Sequence, residues 1–113
     1  MDFETQEFND LLRGCYFHKT RQYPNEATRT TAYAAMEYLW SKRSLKVEDV
    51  VYSQEEIRSK LLDELMPEIL DRAIEVYMQA KNVHQESAYL AGCIFRTLLN
   101  YDAYMERMFR QRV

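Results

Sequence analysis

The stretch Ser87-Ala-Tyr-Leu-Ala-Gly-Cys-Ile-Phe-Arg-Thr-Leu-Leu99 constrains the fold more than any other part of the chain. From Ala88 to Phe95 no charged side chain intervenes, and Leu98 and Leu99 extend the apolar run. Placed at 100° per residue, Ala88, Leu90, Ala91, Cys93, Ile94, Phe95, Leu98 and Leu99 fall all round a helix, and a helix apolar on every side needs neighbours on every side. The run is far shorter than the roughly twenty residues that cross a bilayer, so those neighbours must be protein. Ala88 and Gly92, spaced i,i+4, predict a shallow groove into which another helix packs closely. The stretch reads as the central helix, about residues 85–100, of an all-α bundle of four to five helices.

Two glycines and two prolines in 113 residues are too few for an all-β or loop-rich fold, and the length suits one domain over 1–113. The acidic opening Met1-Asp-Phe-Glu-Thr-Gln-Glu7 lacks the apolar core of a secretory signal, and no run of roughly eighteen apolar residues appears, so a cytoplasmic location without a membrane partner is expected. Cys15 and Cys93 then read as reduced, buried thiols.

Phe8, Leu11, Leu12, Cys15 and Tyr16 fit a first helix over Asp2–Phe17, with Gly14 a weak point or its end. Tyr23-Pro24-Asn25 predicts a turn, and Asn25 caps a second helix over about Glu26–Lys42, whose Ala32 and Ala35 side is thin enough to meet the Ala88/Gly92 groove. Ser44–Tyr52 fits one helical turn or a short extended piece, and reads first as a short helix. Ser53-Gln-Glu-Glu56 is a capping box, so a long third helix starts at Gln54. Its apolar positions run in register through Pro67 to Met78, which predicts a kink at the proline instead of an end. Asn82 and Gln85 have capping-box spacing before the central helix.

No motif demands a particular chemistry. Cys15-x-x-His18 could be completed as a metal site only by His84 and Cys93, whose spacing suits no compact knuckle, so no metal, cofactor or catalytic residue is expected. Glu56, Lys60, Glu64, Glu68 and Arg72 follow one another at i,i+4 and read as a solvated face of exchanging ion pairs. Residues 13–46 carry seven Lys/Arg against two Glu, whereas 47–87 carry ten acids against four bases. Within the basic segment Arg13, Lys19, Arg21, Arg29, Lys42 and Arg43 are interleaved with tyrosines, which suits single-stranded nucleic acid as an alternative partner. Arg13-Gly-Cys-Tyr-Phe-His18 is similar in spacing to the Arg-x4-His motif of helical HEPN-type ribonucleases, without the polar residue usual just after the arginine. That resemblance implies Arg13 and His18 as a pair acting on a phosphodiester, and is the third reading.

Nine tyrosines and six methionines exceed what a small core can absorb. Tyr101, Tyr104, Met105, Met108 and Phe109 repeat at helical spacing past the densest apolar stretch, with arginines beside them. An apolar centre with a polar rim is the composition of a protein-recognition face. The sequence therefore predicts a non-enzymatic regulatory or binding protein, acting through contact with another protein or with a second copy of itself as a homodimer.

Overall fold

The structure, a computed structural model, describes the backbone of residues 3–19 and 23–111 and the side chains of 5–19, 23–101 and Ala103. Its helices are α1 (Phe3–Gly14), α2 (Glu26–Ser41), α3 (Gln54–Glu64), α4 (Pro67–Gln79) and α5 (Glu86–Gln111), and a hairpin of β1 (Ser44–Val47) and β2 (Val50–Ser53) joins α2 to α3. The fold is mostly helical, with α5 flanked by α2 on one side and α4 on another. Leu90, Ala91, Ile94 and Phe95 of α5 are fully buried and meet a core that includes Ala32, Ala35, Met36 and Leu39 of α2, Ile57 and Leu61 of α3, and Leu70 and Ala73 of α4. Each large side chain so buried stabilises the fold by about 1.5–3 kcal/mol relative to leaving it in water.

The helix starts follow local chemistry. The Thr28 amide donates to Asn25 Oδ1 at 2.8 Å, so Asn25 caps α2 as its spacing predicts. At α3 both halves of the capping box form: the Glu56 amide donates to Ser53 Oγ at 3.2 Å, and the Ser53 amide donates to Glu56 Oε1 at 3.0 Å. These bonds hold the Glu56 carboxyl below its usual range.

Four expectations need correction. Residues 44–52 are not a short helix. Leu45 pairs with Tyr52 and Val47 with Val50 across an antiparallel ladder, which sets all four on one face. Leu45, Val47 and Tyr52 pack partly buried against the core, and the Tyr52 ring stands edge-on to Phe95 at 5.2 Å. A lone two-stranded hairpin is marginal in water, so this packing holds it.

Pro67 does not kink a continuous helix; it begins a new one. Met66 is extended, at φ −113° and ψ 162°, because a residue before proline is pushed out of the helical region. Proline at the first helical position loses no bond, since that amide has no partner inside the helix. The break leaves Lys60–Glu64 as an ion pair on α3 and Arg72–Glu75 on α4, so the charged row is divided between two helices. Asn82 is no N-cap: it lies in the left-handed region at φ 58°, and α5 starts at Glu86. The central helix is also longer than expected, running ten residues beyond Tyr101 to Gln111.

Candidate interaction surface

A concavity lies between α4 and α5. Glu68, Arg72 and Val76 form one wall of a groove of 880 Å³, and Ala88, Gly92, Cys93, Arg96 and Tyr101 belong to the other. The two helices run antiparallel along it: the Tyr77 and Tyr89 rings meet at 6.3 Å near one end, while Ile69, Leu98 and Tyr101 line a smaller cleft near the other. The predicted close approach at Gly92 is therefore absent. A Cβ built on Gly92 would meet nothing within 4 Å, so the small residues open onto the groove and α2 packs against a different side of α5.

The groove combines an apolar floor with charged walls. Tyr89 is 42% exposed beside it. Cys93 is nearly buried, and burial pushes its thiol pKa up, opposed by a hydrogen bond with Tyr89 and by the charge of Arg96. Arg72 is taken by Glu75, its Nη1 donating at 3.2 Å. Glu68 and Arg96 are exposed, and neither makes a hydrogen bond or ion pair among the described residues.

Of the predicted recognition stripe, Tyr101 is half-buried against the core and lines the groove. The side chains of Tyr104, Met105, Met108 and Phe109 lie outside the described residues, although the backbone that carries them is helical. The rows 88/92/96/100 and 89/93/97/101 that line the groove continue, by i,i+4 register, to 104/105 and 108/109. Periodicity could have shown that register. It could not show that the groove's other wall comes from α4, which depends on the break at Met66–Pro67.

The basic residues divide into two groups. At one end of α2, His18 Nδ1 and Arg29 Nη2 are 3.0 Å apart, and Lys19 sits 5.8 Å from the Tyr16 ring. At the other, Lys42 donates to the Tyr38 hydroxyl at 3.1 Å and Arg43 is exposed. Arg29 and Lys42 are separated by about 20 Å of helix. Arg21 lies outside the described residues. Arg13, in the last turn of α1, pairs with Asp10 at 2.8 Å, so the hydrogen bonds of Arg13 and His18 go to other residues and not to each other.

A buried polar site near the α1–α2 turn was not visible in the sequence. Tyr23 is 8% exposed, its hydroxyl has no hydrogen-bond partner among the described residues, and it lines a cleft with Asp71 and Glu75 of α4. Burial raises its pKa above the usual tyrosine range, helped by Cys15 and Asp71 and opposed by Arg29. Among the described residues no three His, Cys, Asp or Glu side chains gather as metal ligands, and no helix is long and apolar enough to cross a membrane. No protein-family model matches the chain, and no match was found among curated proteins or solved structures.

Proposed function

We propose that this chain is a non-enzymatic helical binding protein that acts through protein–protein contact, as a homodimer, with α5 as its contact element. The observation that carries the reading is the length of α5 relative to its core. Leu98 is the last fully buried position described on this helix, and the backbone stays helical to Gln111, about 20 Å further. Short helical segments are marginal in water unless an apolar face is covered. The sequence of this extension supplies such a face in Tyr104, Met105, Met108 and Phe109, with Arg107 next to its edge at helical spacing.

The test is the double substitution Met108→Asp with Phe109→Asp. Light scattering should change from dimer mass to monomer mass while circular dichroism keeps its helical signal. Unfolding would show instead that the stripe is core, because two unpaired charges would then be buried. A wild-type chain that is monomeric at every concentration tested would remove the homodimer.

A further inference from the structure

The α4–α5 groove has an occupant that its own charges select. We propose that the groove is a two-fold interface seating a second copy of this chain, with Arg96 of each copy paired to Glu68 of the other. The inference rests on the self-association reading and adds to it a surface and a pairing.

The lining of the groove sets what can enter it. Its floor is apolar and low, because Ala88 and Gly92 present little side chain and nothing within 4 Å occupies the space above Gly92. That admits a helix at short interaxial distance. Tyr89 adds exposed aromatic surface of the kind favoured at protein contacts.

Charge decides which helix. Arg72 is neutralised by Glu75, leaving Glu68 and Arg96 as the groove-lining charges without an ion pair among the described residues. Their sum is zero, so neither an acidic nor a basic partner is favoured by the field of the groove. A two-fold interface has a different requirement: the same patch must carry each charge together with its opposite. This patch does. Glu68 sits on α4 toward the Tyr101 end, and Arg96 sits on α5 nearer the middle, so a copy rotated about an axis through the groove brings each charge to its opposite on the other chain. The α5 positions concerned lie on i,i+4 ridges, and two identical ridges of this kind cross at about −50°.

The experiment uses the full chain and two charge reversals, Glu68→Arg and Arg96→Glu, with mass measured by sedimentation equilibrium and folding by circular dichroism. Each single variant places two like-charge pairs across its own interface and should weaken self-association by about tenfold or more. An equimolar mixture of the two variants restores both opposite pairs in a heterodimer, so the mixture should regain dimer mass. Loss of helicity cannot imitate that recovery. Should either reversal fail to fold, Arg96→Gln must still weaken the dimer, and must do so less at high salt. A monomeric wild type would overturn the inference together with the homodimer. A dimeric wild type whose dimer survives both reversals would overturn the groove assignment alone. Singles that dissociate without recovery on mixing would overturn the Arg96–Glu68 pairing.

Discussion

One side of α5 is packed and the other is open. On one, Leu90, Ala91, Ile94 and Phe95 are fully buried in the core, where α2 packs against α5 and the Tyr52 ring meets Phe95. On the other, Ala88, Tyr89, Gly92 and Arg96 line an open groove. Small apolar residues occur on both sides, Ala91 in the core and Ala88 and Gly92 in the groove. Residue size therefore does not tell a packed contact from a vacant one. What separates them is whether a neighbouring helix comes close enough to cover the small residue. α2 packs against α5, and its Ala32 and Ala35 lie buried in the same core as Ala91. α4 also packs against α5 but leaves the space over Gly92 open, and its Glu68 and Arg72 line the groove beside it.

The largest effect that would break this comparison is on the buried side. Phe95 is fully buried and makes the edge-on contact that anchors Tyr52 and its hairpin. Phe95→Ala should cost about 3–5 kcal/mol, through lost transfer energy and the cavity left behind. Urea denaturation reads the loss. A cost under about 1 kcal/mol would mean that the side called core collapses freely and is not the rigid side.

The two cysteines give a second, smaller test of the same contrast. Cys15 is fully buried and its pKa is pushed up to about 11 by burial, against hydrogen bonds from the Cys15 and Phe17 backbone. Cys93 borders the groove, where Tyr89 and Arg96 oppose the upward shift. A thiol whose pKa is raised on folding contributes stability that is present below the unfolded value and is lost as pH rises toward the folded value. With an ordinary value of 9.0 and a folded value of about 11, the loss should run between those limits. It should reach roughly 2–3 kcal/mol. Denaturation midpoints across this range should fall for wild type and fall less steeply for Cys15→Ala. Cys93→Ala should change the slope less. Equal changes would show that the groove thiol is as sealed as the core thiol.

Local signals in the sequence carried through to the structure where the backbone itself settles the outcome. Asn25 and the Ser53/Glu56 box are examples, because their donors and acceptors lie within three residues of one another. The apolar run 88–99 likewise marked a helix that enters the core, through Leu90, Ala91, Ile94 and Phe95, but not the neighbours expected on every side, since Ala88, Tyr89 and Gly92 line the groove. The failures have a common cause, since each depends on what a distant segment supplies. Apolar spacing passes through Pro67 in register because α3 and α4 both contribute to one core, and that continuity hides the break. Leu45, Val47 and Tyr52 alternate too briefly to outweigh a helical turn, and Glu48 takes the positive φ of 57° at which a glycine would have announced a hairpin. Glu68 and Arg96 are separated by 28 positions, and nothing local marks them as facing one groove.

The smallest effect is also the most direct reading of the groove side. Glycine inside a helix costs about 0.5–1 kcal/mol relative to alanine, because it loses more backbone freedom on folding. If a neighbouring helix covered Gly92, an added methyl would have to displace it, and the loss from overpacking would exceed that gain. With nothing within 4 Å of the Cβ position and no left-handed φ at this residue, the gain stands alone. Gly92→Ala should therefore raise the stability of the chain by about 0.5–1 kcal/mol. The measurement is a urea midpoint taken at a dilution where the wild type is monomeric, so that contact with a second copy does not enter. A midpoint lowered by the substitution would mean that α4 or another segment closes over Gly92 in solution, and the groove side of α5 would then be a second packed side.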